Sequence, residues 1–312
     1  MEKIAVVVVT FNRLNKLKKT LNCYDNQTVK PTFMIVVNNN SSDGTKEYLA
    51  SWEKIEMPYK KKVVNLSENM GGSGGFYHGE IEAVNIWADW ILVADDDAYP
   101  DSSVIEVFRA FSAGAKGKSI AAVCTKVCDI NGNIVQNHRR TFKLCRKLLF
   151  KTENVPLGFY EQEYFNLDLF TYVGTFLNVD AVKKYGFCNP NFFIYCDDAE
   201  HSIKMLNYGD IICLPKMTFV HDSGADQQIA NKTILLSWRE YYGLRNHVFT
   251  LMNHHFKLAA FYDMGWQIIR CIVKYKFNVQ CIKLVLTAFF DAISGRLGKH
   301  PLYKPGFNIK KK

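Results

Sequence analysis

Three adjacent carboxylates, Asp95-Asp96-Asp97, stand directly behind an apolar run at residues 90–94. Like charges at that spacing repel, so the triplet costs stability unless water or a cation neutralises it. In an extended segment Asp95 and Asp97 point one way and Asp96 the other. Two such oxygen ligands with open positions suit Mg²⁺ or Mn²⁺ holding a substrate diphosphate. A solvated acidic turn leading to Pro100 is the plain alternative. A second acidic group, Asp197-Asp198-Ala199-Glu200, follows an aromatic run and opens a helical pattern. Acidic residues suit the positive end of a helix dipole, and a carboxyl among apolar neighbours has the raised pKa of a general base. Both readings stand. His221 closes the run 218–220, where it serves either as a third metal ligand or as a structural histidine.

The elements that must hold these groups alternate. Residues 4–9 are a continuous apolar, mostly β-branched run, the pattern of a strand buried on both faces. Leu14, Leu17 and Leu21 then recur at helical spacing, with Asn12 placed to cap the helix. Strands are predicted at 33–37, 63–66 and 90–94, with helices at 46–52 and from about 76 to 88. This alternation predicts an α/β fold with a mostly parallel sheet covered by helices. Ligands in such sheets bind beyond the carboxyl ends of the strands, where the aspartate triplet falls.

The polar loop 38–45 and the glycine run fall there too. Asn38 and its neighbours can bond a nucleobase edge, and Asp43 can cap the next helix. Gly71-Gly72-Ser73-Gly74-Gly75-Phe76 permits close backbone approach to a ligand at a helix N-terminus. It lacks the third glycine of a dinucleotide fingerprint and the Lys-Ser/Thr pair of a phosphate loop. Further on, strands are predicted at 121–127, 171–179, 211–214 and 218–221, a helix at 197–209, and a long helical pattern from about 234 to 293. Residues 1–255 are expected to form one catalytic unit and 256–312 a helical, basic, amphipathic extension.

With 48% hydrophobic and 22% charged residues, the 312-residue chain is neither disordered nor fibrous. The nine cysteines are scattered with no paired C-x-x-C spacing, which points to reduced thiols in a cytoplasmic protein. The amino-terminal apolar stretch is too short and too acidic-flanked to read as a signal peptide, and no apolar run is long enough for a membrane-spanning helix. The net charge of +9 is confined to residues 257–312, which hold 11 Lys and Arg against two Asp. A basic amphipathic helix can lie on anionic lipid, or pack on the main domain or a second subunit. With the remainder neutral there is no basic groove for nucleic acid.

These motifs, in this order over residues 4–250, resemble the family 2 glycosyltransferases of the GT-A (Rossmann-like) fold. The family's opening strand and turn correspond to residues 4–9 and Thr10-Phe11-Asn12, and its D/N-N-x-S-x-D-G-T motif to residues 38–45. Its D-x-D corresponds to Asp95-Asp96-Asp97, and its later acidic motif to residues 197–200. The glycine run, and residues 193–200 with a downstream His, look most like bacterial galactofuranosyltransferases, with rhamnosyltransferases close behind. The processive-synthase motif Gln-x-x-Arg-Trp is absent; Ser237-Trp238-Arg239-Glu240 and Tyr241-Tyr242-Gly243-Leu244-Arg245-Asn246 stand in that region.

The resemblance implies inverting, metal-dependent transfer from a UDP-sugar, with a dTDP-sugar as the alternative donor, to a glycan or lipid-linked glycan. Asp198 is the implied base, and Asp95, Asp97 and His221 the ligands of Mn²⁺ or Mg²⁺. Thr10, Phe11, Asn12, Asn38, Asp43, Asp95 and Asp96 would surround the donor nucleotide. Gly71, Gly72, Gly74, Gly75 and Phe76 would line the sugar and diphosphate, and Asp197 and Glu200 would position the acceptor. Asn38 stands where many members carry Asp, which leaves uracil and thymine both open. The expected location is the cytoplasm, or the inner face of the plasma membrane. Two rivals are a nucleotidyltransferase, which needs a basic glycine-rich loop after the first strand, and a non-catalytic nucleotide-sugar binder.

Overall fold

The computed structural model describes residues 2–115, 117–146, 149–223 and 234–310. The first half runs β1 (Ile4–Thr10), α1 (Leu14–Asp25), β2 (Phe33–Asn38), α2 (Thr45–Trp52), β3 (Lys60–Asn65), α3 (Gly71–Asn85), β4 (Trp90–Asp95), β5 (Ala98–Pro100), α4 (Val104–Gly114) and β6 (Ile120–Cys128). A hairpin follows, β7 (Arg139–Arg146) and β8 (Leu149–Asn154), then β9 (Phe165–Leu167), β10 (Leu169–Phe170), β11 (Thr175–Asn178), α5 (Val179–Tyr185), α6 (Asp197–Met205) and β12 (Asp210–His221). The chain finishes with β13 (Ile234–Ser237), α7 (Trp238–Asn253), α8 (Lys257–Val273), α9 (Val279–Ile293) and β14 (Asn308–Lys310).

The main sheet has the order β3-β2-β1-β4-β11-β6-β12-β5. β1, β2, β3 and β4 are parallel, as are β6 and β12, while β11 runs antiparallel between β4 and β6. The sheet is therefore mostly parallel and covered on both faces, as the alternation predicts. Ile4, Val6 and Val8 pack under α1, α2 and α4, whereas Ala5, Val7 and Val9 pack under α3, α5 and α6. Register aligns Val9 with Asp95 and Thr10 with Asn38, so the functional candidates of three strands emerge along one edge.

Several elements differ from expectation. Residues 211–221 form one strand rather than two; a register shift between Leu214 and Thr218 absorbs Pro215, which has no N–H to donate to the ladder. β7 and β8 pair antiparallel, and only Thr175–Asn178 of the predicted strand 171–179 is extended into the sheet. Residues 234–237 form β13, paired with β14, and α7 starts at a capping box between Ser237 and Glu240. Asn12 does not cap α1: the amide of Leu14 donates instead to the Asp43 carboxylate at 2.9 Å. α3 begins at Gly71, so the glycine run is helix rather than loop. The cysteines whose side chains are described are free, and most are buried.

One buried polar contact fixes α3. Glu80 accepts from the Cys188 amide at 2.9 Å, while its other oxygen lies 3.6 Å from His201 Nδ1 without a hydrogen bond. His201 Nε2 donates to the Gly186 carbonyl, so Nδ1 accepts from the Tyr172 hydroxyl at 2.7 Å. Burial pushes Glu80 up to about 8 and pulls His201 down to about 3, so both are neutral at pH 7 and no ion pair forms. With the folded pKa above the unfolded one, the unfolded chain binds fewer protons between about pH 4.5 and 8, and stability falls as pH rises through that window. Glu80→Gln keeps the acceptor for Cys188. Urea unfolding should show a gain on the order of 2 kcal/mol at pH 8 and none near pH 4.5; equal gains at both would refute the buried-acid account.

Candidate active site

The ends of β4 and β12 bring Asp95, Asp97 and His221 together, one ligand atom from each lying within 4.8 Å of the others. Asp97 divides its two oxygens. Oδ2 accepts from Arg13 at 2.7 Å and lies 3.6 Å from Lys16 Nζ, while Oδ1 is 3.4 Å from His221 Nε2. His221 Nδ1 is 3.3 Å from His138 Nε2, and His138 Nδ1 is 2.7 Å from the Thr171 hydroxyl. Burial and the neighbouring Arg139 hold His138 well below its usual pKa, hence neutral. With Nδ1–H donating to Thr171, His138 accepts the His221 Nδ1 proton. Burial works against a charge on His221, but its bond to Asp97 and the charge of Asp95 outweigh it and raise its pKa. Nε2 therefore faces Asp97 as a donor until a cation displaces its proton.

Burial and the charge of Asp97 raise Asp95 above the ordinary carboxylate range. Burial also acts on Asp97, but His221, Arg13 and Lys16 outweigh it and lower its pKa. Two hard carboxylate oxygens and an oriented imidazole, with repulsion still stored at Asp95, fit a divalent cation. Asp96 belongs to the framework. Its carboxylate accepts from Thr10 Oγ1 at 2.7 Å and Arg13 at 3.3 Å, and its carbonyl accepts from Thr20.

Asp95, Asp97 and His221 line a cleft of about 350 Å³ that also takes in Arg13, Gly72, Phe76, Tyr172, Asp197 and Asp198. Asp198 lines a second cleft as well, about 650 Å³, with Asn137, Arg140, Thr152, Asn154 and His247. It is thus a shared wall between the pocket of Asp95, Asp97 and His221 and a neighbouring cleft lined by both polar and apolar side chains. Burial raises its pKa, opposed by Arg140, and one oxygen accepts from the Ala199 amide at 2.7 Å. Asp197 is raised by burial and then by Asp198.

The segment before these carboxylates is strained. Phe193, Tyr195 and Cys196 all have φ between 64° and 68°, where side chains are disfavoured. Asn246 on α7 holds it there, its amide sharing hydrogen bonds at 2.9 Å with the carbonyls of Phe192, Ile194 and Tyr195. Arg245, fully buried, adds a bond to the Phe192 carbonyl at 3.1 Å. Gly71 completes the fit. A Cβ there would lie 1.8 Å from the Phe193 carbonyl oxygen, so only glycine lets α3 start against this segment.

The other predicted residues divide. Gly72 and Phe76 face the cleft, but Gly74 lies against Met70, and Gly75 abuts Val9 of β1. Glu200 does not reach the cleft; it turns to Lys204 at 2.8 Å and His254 at 3.4 Å. Asn38 is buried and committed to Asn65 and the Ser41 amide. Asn12 accepts from the Ser42 amide, which with Asp43 ties the turn after β1 to the loop after β2. Phe11 stays 40% exposed. Asn12 and Asp43 border a third cavity of about 500 Å³, together with Arg13 and Lys16. Arg13, Lys16, His138 and Tyr172 were not anticipated; a basic pair just past the first strand was the available signal for the first two. A cavity of about 590 Å³ at the opposite end of the sheet holds Asp89 and Glu2, both bonded within the framework.

The sequence matches the family model described as glycosyl transferase family 2 over residues 5–181. Galactofuranosyltransferase GlfT1 of Mycolicibacterium smegmatis is 27% identical over 234 residues, covering 72% of this chain and 73% of that protein. Among solved structures, residues 1–349 of S. aureus TarS in complex with UDP-GlcNAc align with a TM-score of 0.60 at 17% identity, covering 94% of this chain and 82% of that one. The chain spans 44% of the longer S. aureus TarS chain. Mannosyltransferase PcManGT from Pyrobaculum calidifontis, in complex with GDP-Man and Mn²⁺, aligns with a TM-score of 0.56 at 14% identity, covering 96% and 76%. At these identities the structural likeness is one of fold.

Proposed function

The chain belongs to glycosyl transferase family 2, and from that premise we propose that it transfers galactofuranose from a UDP-activated donor to a hydroxyl of a glycan precursor, with inversion. The observation that carries this reading is the position of Asp198, open both to the pocket of Asp95, Asp97 and His221 and to the polar cleft beside it. The donor occupies the first pocket and the acceptor the second. Asp198 takes the proton of the acceptor hydroxyl while its oxygen bonds to the anomeric carbon. The bond from that carbon to the diphosphate breaks on the opposite face, and its electron pair leaves with the nucleotide. One base and one displacement invert the centre.

Asp95, Asp97 and His221 are the residues that would hold Mn²⁺ or Mg²⁺, which when bound supplies positive charge against the leaving diphosphate. Arg13 and Lys16 add fixed cations at the same edge. The sequence likeness to galactofuranosyltransferase GlfT1 supports the choice of sugar. Transfer rests with residues 1–255, and residues 256–312 attach the enzyme where its acceptor is made, at the inner face of the membrane.

The test is a donor screen: thermal stabilisation by UDP-galactofuranose, UDP-galactopyranose, UDP-GlcNAc and dTDP-rhamnose with Mn²⁺, followed by Mn²⁺-dependent release of UDP. At a donor concentration of about 100 times Kd, the matched donor should stabilise the chain by about 2.7 kcal/mol. Stabilisation by dTDP-rhamnose alone would replace the galactofuranosyl reading, and stabilisation without release or transfer would leave a binder.

A further inference from the structure

Among the described residues, the helix α8 carries an apolar face that is left largely uncovered. Its inward side, Ala259, Ala260 and Cys271, is buried against the body. Leu258, Phe261, Tyr262, Trp266, Ile269 and Ile272 are exposed, Trp266 by 54%. At 100° per residue these six occupy one arc of roughly 140°. Exposed apolar residues scattered singly mean little, but a continuous aromatic and aliphatic stripe marks an interaction surface.

Charge selects the occupant. Arg270, Lys274 and Lys276 are exposed beside the stripe, and Lys283 is exposed on the neighbouring α9. Of the only two acidic residues after position 256, Asp291 is buried and accepts from the Tyr241 hydroxyl at 2.6 Å, and Asp263, partly exposed, is paired with His247 at 2.9 Å. The outward surface is therefore apolar and cationic. Two copies of it would repel, whereas a bilayer with anionic headgroups offers both an apolar interior and the opposite charge. Among the described residues no helix is long and apolar enough to cross a membrane, so α8 lies in the interface rather than spanning it.

The position of α8 gives this surface a purpose. Phe256 packs on Phe150 of the β7–β8 hairpin at 4.9 Å between ring centroids, and Asp263 holds His247. Phe150 and His247 both line the polar cleft that ends on Asp198. We propose that α8 seats the chain on an anionic lipid surface through its Leu258–Ile272 stripe, so that the cleft opens beside the bilayer and takes an acceptor carried on a lipid. The acceptor clause rests on the function proposed above; the docking surface does not.

Flotation of the full chain with vesicles of phosphatidylcholine alone, and with about one third phosphatidylglycerol, tests it. The chain should float only with the anionic vesicles. Arg270→Glu with Lys274→Glu should lower partitioning at least about tenfold, as should Trp266→Ser with Ile269→Ser. Tryptophan emission should shift to the blue on binding, and Trp266→Phe should remove most of that shift. Thermal stabilisation by the nucleotide-sugar, measured on the same variants, should stay unchanged. Undiminished flotation of both double variants, or sedimentation of the wild type as a dimer that Ile269→Ser dissociates, would overturn the proposal. If the wild type floats but no nucleotide-sugar stabilises it, the docking surface stands and the transfer reading falls.

Discussion

Asp198→Asn is expected to lower sugar transfer by about two orders of magnitude or more while leaving the donor affinity within about twofold. The amide keeps the size of the carboxyl and its bond to the Ala199 amide, so the helix start survives. It cannot accept the acceptor proton, so the loss falls on turnover. The environment explains why this position can act as a base. Burial lifts its pKa and Arg140 restrains the rise, which leaves a carboxylate more basic than one in water. Asp197 stands next to it and faces the same pocket. Asp197→Asn should therefore weaken transfer less than the change at 198. Single-turnover assays with saturating donor separate the two, and near-wild-type turnover in Asp198→Asn would remove it from the role.

Asp97→Asn is expected to cost about as much by another route: Mn²⁺ affinity should fall roughly 100-fold and transfer about 1,000-fold. The change removes the negative charge that both Asp97 oxygens share, the one facing His221 and the one that Arg13 and Lys16 meet. Asp95 would then titrate closer to the ordinary carboxylate range, because the charge of Asp97 is part of what raises it. Calorimetric titration of Mn²⁺ into the nucleotide-free chain gives a readout independent of turnover. Unchanged affinity in a variant with a normal unfolding transition would show that the cation, if needed, sits elsewhere.

Sequence reasoning reached the parts of this site that are local. Asp95 and Asp97 follow an apolar strand, His221 ends another, and Asp197 and Asp198 open a helix, so strand ends and alternation were enough to place them. What it missed is long-range. His138 comes from a short 3₁₀ turn 83 residues before His221, and only the packing of strands brings the rings together. The tyrosine at 172 meets His201 by the same kind of accident of folding. The glycines misled for a different reason: a run that could cradle phosphate could equally let a helix lie close on β1, and Gly75 against Val9 shows the second use. At Ser237 the missed signal was local: its capping box with Glu240 starts α7 at Trp238, whereas the expected helical pattern began near residue 234.

Asn246 and Arg245 hold the bend that delivers Asp197 and Asp198, and Arg245 in turn donates to the Gly298 carbonyl at 2.7 Å, while β14 closes on β13. The geometry of the carboxylates thus depends on residues more than 100 positions later in synthesis. A chain cut near residue 256 would keep every acid and both bracing side chains, but Arg245 would lose the Gly298 carbonyl that seats it, so the aim of the carboxylates would loosen. Amputation at that point is accordingly a poor way to ask what the last helices do; single surface changes on a finished chain ask it cleanly.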